Sequence, residues 1–288
     1  MSQDRLEASL DIDRLPALEI VRLIQEQDAL VAAAVAREGT KIAHAVDEIV
    51  ERLRHGGRLF YAGAGTSGRI AMLDASELPP TYGVDPGLVR VLMAGGEQAY
   101  FSAVEGAEDD EDAAIEAVSQ QVTADDAIVG IAASGTTPYT VSAVRRANML
   151  GALTVGVTNV PGSPLARDVD IPIVIETGAE VIMGSTRMKS GTAQKMVLNT
   201  LSTAVMVRLG RVYSNLMIDM PATNEKLRHR AVKMVELAAG VTRPMAVQAI
   251  RDADGNVRLA TVMAKRRVDA AEARRLLETQ DLREVLGT

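Results

Sequence analysis

RLFYAGAGTSGR (residues 58–69) decides the fold. RLFYA is an apolar run of strand length, and GAGTSG is a turn that opens a helix from Ser67. The same strand–turn–helix unit recurs. LVRVLMA (88–94) reads as a second strand, and AIVGIAA (127–133) as a third that enters the turn SGTTP and the helix YTVSAVRRANMLG. ALTVGVTN (152–159) and IPIVIE (171–176) supply a fourth and a fifth. Strands that are apolar throughout and alternate with helices predict a parallel sheet covered on both faces. The expected fold class is α/β, a doubly wound parallel sheet.

Working outward, residues 15–54 carry apolar residues at three- and four-residue spacing, with a break near Gly39 and a stop at Gly56-Gly57. The helix from Ser67 is expected to end near Leu78, where Pro79-Pro80 follows. Helical segments fill 97–122, and a long helix covers about 186–209. After Gly210 the alternation ends, and 225–288 read as all-helical with a break at DADGN (252–256). The expected segments are an N-terminal helical stretch (1–47), a sheet domain (48–210) and a C-terminal helical domain (211–288).

Composition excludes several classes of function. Aromatic residues make up 2% of the 288 residues and Trp is absent, so the chain lacks a stacking platform for single-stranded nucleic acid or glycan polymers. A net charge of −7 gives no basic field for a nucleic-acid backbone. With no Cys, a disulfide, a thiolate nucleophile or a Cys metal site is impossible. His44, His55 and His229 are far apart, so no metal site is expected. The polar N-terminus is unlike a signal peptide, and no apolar run approaches the ~20 residues of a membrane span. A cytoplasmic protein with no membrane partner is expected.

Three loops carry the chemistry. The first is Gly63–Arg69, the second Ser134–Pro138, the third Gly184–Thr192. Gly lets backbone N–H groups approach an anion, the helix N-terminus adds unpaired donors, and Ser and Thr add hydroxyls. One such loop could be a simple N-cap or turn. Three in series, each after a strand, point to a small phosphate. The candidate anchors are Gly65, Thr66, Ser67, Ser134, Gly135, Thr136, Thr137 and Ser185. Arg187 and Lys189 stand where a helix N-terminus disfavours cations, a cost that a bound anion would offset. Gly63, Gly65 and Gly68 also match G-x-G-x-x-G, with Glu97 roughly placed for a ribose, but the other two loops suit a monophosphate better than a dinucleotide. Two acidic stretches, around Glu77 and over Glu105–Asp112, read on their own as a helix end and a solvated first turn.

GAGTSGR (63–69), LDASELPPTYG (73–83), MAGGEQA (93–99), EGAEDD (105–110), ASGTTPY (133–139) and GSTRMKSGTAQKMVLN (184–199) together resemble the N-acetylmuramic acid 6-phosphate etherase family. SNLMIDM (214–220) and ATNEKL (222–227) extend the resemblance, and AIRDADGNVRLATVM (249–263) is similar to that family's small helical module of ubiquitin-associated type. The resemblance implies a sugar-isomerase (SIS) domain over about 48–210, whose Ser/Thr loops bind a sugar phosphate. It implies a homodimer with active sites near the subunit interface. It also implies cleavage of the lactyl ether of N-acetylmuramic acid 6-phosphate, without metal or organic cofactor, in cell-wall sugar recycling. By position Glu77 and Glu108 match the family's two active-site carboxylates. Glu105 lies one turn before Glu108, and a helix carrying both would turn them to one side, so spacing does not separate them. General acid catalysis near neutrality would want a glutamate pKa raised by partial burial or a neighbouring carboxylate. A non-catalytic phosphosugar-binding regulator and a phosphosugar isomerase are the alternatives on the same fold.

Overall fold

The computed structural model describes residues 4–222 and 224–287; the first three residues of the polar N-terminus, Thr223 of the ATNEKL motif and the final Thr288 lie outside it. The chain divides into two compact units. One comprises the residues up to Ala75 with Gly87–Val205, the other Ser76–Pro86 with Met206 onward. The expected segmentation placed 76–86 in the sheet domain.

In the first unit, helices α1 (Ala17–Asp28), α2 (Val31–Arg37) and α3 (Gly39–Arg54) precede the sheet. α3 buries Ile42, Ala45, Val46, Ile49, Val50 and Leu53, the single stripe that its three- and four-residue spacing dictates. Strands β1 (Leu59–Gly63), β2 (Val89–Met93), β3 (Ala127–Ile131), β4 (Leu153–Thr158) and β5 (Ile171–Val174) form one parallel sheet in the order β2-β1-β3-β4-β5. Every residue of β1, β3 and β4 is buried, while the edge strands β2 and β5 each keep two positions partly or fully exposed. This matches uniformly apolar central strands covered by helices on both faces.

The connections are α4 (Gly65–Tyr82) after β1, then α5 (Gln98–Phe101) and α6 (Glu111–Gln121) after β2. Helix α7 (Pro138–Met149) follows β3, α8 (Pro164–Arg167) follows β4, and α9 (Lys189–Arg208) follows β5. α4 does not stop at Leu78. It runs through Pro79 and Pro80 to Tyr82, and the Gly83 N–H closes it on the Pro79 carbonyl at 2.9 Å. Proline removes two N–H donors and disfavours the helical conformation before it, but here the fixed φ of both rings is kept within the helix.

The second unit is helical, as expected: α10 (Glu225–Ala239), α11 (Arg243–Asp252), α12 (Val257–Arg266), α13 (Ala270–Thr279) and α14 (Leu282–Leu286). The break at 252–256 falls between α11 and α12, where Asn256 accepts the Leu259 N–H at 2.8 Å as an N-cap. Ala231, Val235, Ala246, Ala260, Val262 and Val285 form its core. Arg258 fixes Asp219 through two bonds of 2.6 and 2.8 Å, and Gly83 packs so closely on the Asp219 backbone that a Cβ there would overlap it. That contact explains why 76–86 groups with the C-terminal helices. Among the described residues no helix is long and apolar enough to cross a membrane.

Candidate active site

The chain lays β2 on one side of β1 and then β3 on the other, so the strand order reverses between β1 and β3. Gly63 is level with Ile131 in the ladder, so the loops after both strands leave the same edge side by side. A crevice at such a reversal is where parallel sheets bind ligands. The first and second candidate loops flank it.

α4 starts at Gly65, two residues earlier than expected, which puts Thr66 and Ser67 in its first turn. Gly68 lets this turn lie on β1 and β2, since a Cβ there would overlap Met93 Sδ and crowd the Gly63 carbonyl. Ser67 is buried and donates its hydroxyl to Gln194 Oε1 at 3.0 Å. Its proton is therefore committed to α9, and its free role is that of an acceptor unless Gln194 exchanges places with a ligand.

The loop 132–137 links β3 to α7. Ser134 Oγ accepts from the Thr136 N–H at 3.2 Å and from Thr136 Oγ1 at 3.0 Å, which folds the turn on itself. Gly135 has φ +67°, and any Cβ would overlap the Ser163 side chain and crowd Thr158 Oγ1. Only glycine fits. Thr137 is the N-cap of α7, yet its side chain makes no capping bond, and Pro138 follows at the first helical position. The Thr137 hydroxyl is thus left over from capping, beside an exposed Thr136.

The third loop departs from expectation. Lys189 is not a solvent-facing cation awaiting a ligand; it is 2% exposed. The fully buried Glu180 receives the Lys189 and Ser190 N–H groups on its two carboxylate oxygens, each at 3.0 Å. An internal carboxylate therefore supplies the anion that the helix N-terminus favours. Lys189 Nζ donates to Gln27 Oε1 at 2.8 Å; burial pulls its pKa below the ordinary lysine value, opposed by the charges of Glu180 and Asp28. Arg187 is exposed, and Ser185 lies before this capped turn. The first turns of α4 and α9 are nonetheless neighbours, since the space at Gly191 is bounded by Thr66 and Ile70.

Buried side-chain polar atoms without a partner among the described residues are Thr140 Oγ1, Asn159 Oδ1 and Gln194 Nε2. All three belong to segments that follow the C-terminal ends of strands. Orphaned buried polar atoms are rare in native folds.

The stretch after β2 is a series of helical segments, as expected over 97–122. α5 ends at Phe101, a 3₁₀ turn spans Ala107–Asp109, and α6 starts at Glu111. Gly106, at φ +73°, separates Glu105 from Glu108. Both glutamates still line one cleft of about 370 Å³, with Gly65 and Arg69 of α4 on its other wall. The structure brings Glu108 and Gly65 together. It also brings in Arg69, which sequence reading passed over as the end of the glycine loop. Glu77 belongs to the other unit and is exposed, as are Glu105 and Glu108, so the expected partial burial is absent from the single chain.

Asp74, three residues before Glu77 on α4, is fixed by Tyr61 Oη at 2.9 Å, Asn199 Nδ2 at 2.7 Å and Ser202 Oγ at 3.0 Å. Burial pushes its pKa up, more than these three donors and the charge of Lys195 pull it down. The Tyr61 hydroxyl is pushed well above its ordinary value by burial and by the Asp74 charge.

Residues 41–148 match the model of the glucokinase regulatory protein N-terminal SIS domain, and residues 101–204 that of the SIS domain. The chain is 57% identical over 262 residues to an N-acetylmuramic acid 6-phosphate etherase of Symbiobacterium thermophilum, covering 91% of this chain and 87% of that one. An enzyme of the same description from Rubrobacter xylanophilus is 48% identical, covering 100% of this chain and 96% of that one. Among solved structures, a phosphoheptose isomerase from Francisella tularensis superimposes with a TM-score of 0.55 at 21% identity, over 67% of this chain and all of that one, a likeness of fold.

Proposed function

Because the chain belongs to the N-acetylmuramic acid 6-phosphate etherases, we propose that Glu77 and Glu108 are its catalytic carboxylates and that the loops after β1 and β3 hold the sugar phosphate. As an etherase it cleaves the lactyl ether of N-acetylmuramic acid 6-phosphate to N-acetylglucosamine 6-phosphate and D-lactate, a step of peptidoglycan recycling. In the open-chain sugar the C1 aldehyde acidifies the C2 proton. Glu108 takes that proton, the C2=C3 double bond forms, and the C3–O bond breaks with its electron pair leaving on the lactate oxygen. Glu77 protonates that oxygen. Water then adds across the double bond, placing hydroxyl on C3 and hydrogen on C2. Each proton transfer contributes roughly 10²–10⁴-fold.

The observation that carries the assignment of Glu108 is its place in the cleft beside Gly65, where the mouth of α4 offers N–H donors to a phosphate. Gly65, Thr66, Ser67, Ser134, Gly135, Thr136 and Thr137 are the anchors in this reading, with Ser185 as a secondary contact. Binding at the phosphate, remote from C2 and C3, then supplies positioning energy. A homodimer in which the partner subunit covers these exposed carboxylates fits the need of acid–base chemistry for a water-excluded site. The protein is assigned to the cytoplasm, where such a phosphorylated sugar is found.

The test is D-lactate release from N-acetylmuramic acid 6-phosphate. Tight binding without release would turn the reading to a phosphosugar-binding regulator, the alternative that the match over residues 41–148 keeps in view. Aldose–ketose interconversion without lactate would turn it to an isomerase. Glu108→Ala should abolish exchange of the C2 proton with solvent deuterium, whereas Glu77→Ala should retain exchange while losing lactate; the reverse pattern exchanges the two roles.

A further inference from the structure

Arg69 is the one cation lining the cleft that holds Glu105 and Glu108. Its Nε donates to the carbonyls of Ala99 at 3.1 Å and Tyr100 at 3.3 Å, which fixes the plane of the guanidinium. Its terminal nitrogens make no hydrogen bond or ion pair among the described residues, although two carboxylates line the same cleft. A half-buried guanidinium held through Nε, with the rest of its fork uncommitted, is preorganised for a planar two-oxygen anion.

We propose that Arg69 binds the carboxylate of the substrate's lactyl group and so selects a sugar phosphate bearing an acidic ether at C3 over one with a free hydroxyl there. This rests on the etherase reading and adds to it a determinant of specificity. Three observations carry it. A third carboxylate entering beside Glu105 and Glu108 is repelled, and Arg69 is the charge that offsets this. Ala99, Ala103, Val104 and Ala107 give the cleft an apolar wall for the lactyl methyl, and about 370 Å³ suits a small organic acid with part of a sugar. Arg69 also follows Thr66 and Ser67 on the same helix, so one rigid element presents donors for the phosphate and a fork for the carboxylate.

The experiment compares wild type, Arg69→Gln and Arg69→Lys on three ligands: N-acetylmuramic acid 6-phosphate, its lactyl methyl ester, and N-acetylglucosamine 6-phosphate as a competitive inhibitor. Loss of a charge-assisted pair in Arg69→Gln should raise KM for the acid by about 10- to 100-fold, with the ester KM and the inhibition constant moving less than about threefold. Arg69→Lys should recover part of the preference for acid over ester. An unchanged acid-to-ester ratio in Arg69→Gln overturns the assignment. So does an equal loss for all three ligands, which would place Arg69 on the phosphate or in a purely structural role. Wild-type lactate release tests the etherase reading separately: its absence sinks that reading, whereas normal release with an unchanged ratio sinks only the role of Arg69.

Discussion

Tyr61, in the middle of strand β1, donates its hydroxyl to Asp74 on α4 at 2.9 Å, and both side chains are buried. The pair joins a strand to the helix that begins at the phosphate-type loop. Tyr61→Phe removes one of three donors to a desolvated carboxylate and should cost about 1–3 kcal/mol in urea unfolding. The raised pKa of Asp74 also has a sign. Its contribution is fully present below the ordinary aspartate value and is lost as pH rises through the higher folded value. Relative to an Asp74→Asn variant, the wild type should therefore lose ground over that window; a difference that grows with pH would count against the assignment.

Glu180 and Lys189 make a complementary case. Glu180→Ala leaves two helix N–H groups and a buried amine without their anion and should destabilise by about 3 kcal/mol. Lys189 has a depressed pKa, so its contribution is present above the ordinary lysine value and lost as pH falls through the folded value. Stability curves of wild type and Lys189→Met should separate in favour of the wild type as pH rises towards 10.5. Parallel curves would mean that the amine is better solvated than its burial implies.

At the opposite edge of the sheet, Asp126 accepts from Arg58 N at 2.7 Å, Arg58 Nη2 at 2.9 Å, Thr123 N at 2.8 Å and Thr123 Oγ1 at 3.0 Å. Burial pushes its pKa up, but these partners together bring it below the ordinary value. The stability it supplies is present above 3.8 and lost as pH falls through the folded value. Asp126→Asn should accordingly show a shallower acid limb than wild type in pH-dependent thermal melts, together with a lower plateau near neutrality.

Glu105 and Glu108 line the same cleft, and kinetics can divide them. Glu108→Gln should lower kcat for lactate release by roughly 10²–10⁴-fold. Glu105→Gln should stay within about tenfold of wild type, the scale of one lost hydrogen bond to a ligand. Equal losses in both would require the base assignment to be shared or reversed, and C2 deuterium exchange in each variant tells which.

The strands were legible because β1, β3 and β4 are buried on both faces and carry no charged residue to confuse the pattern. Their ends fall within two residues of the expected ones. Pro79 and Pro80 misled, because a local rule about proline was read as a boundary, whereas the helix runs on to Tyr82 and the Gly83 N–H closes it on the Pro79 carbonyl. Lys189 was expected to sit beside a bound anion, but the carboxylate at this helix start is Glu180, nine residues upstream, which takes the Lys189 backbone N–H while the amine donates to Gln27. Glu105 and Glu108 could not be divided by helical spacing, because no α-helix carries them. Arg69 was invisible for a related reason: its carbonyl partners, Ala99 and Tyr100, are thirty residues away and carry no side-chain signal.

Glu180 has one more consequence. Since it is part of the chain, the mouth of α9 is filled before any ligand arrives, at an effective concentration that no free phosphate can match. Of three helix mouths able to take an anion, the protein has closed one from within.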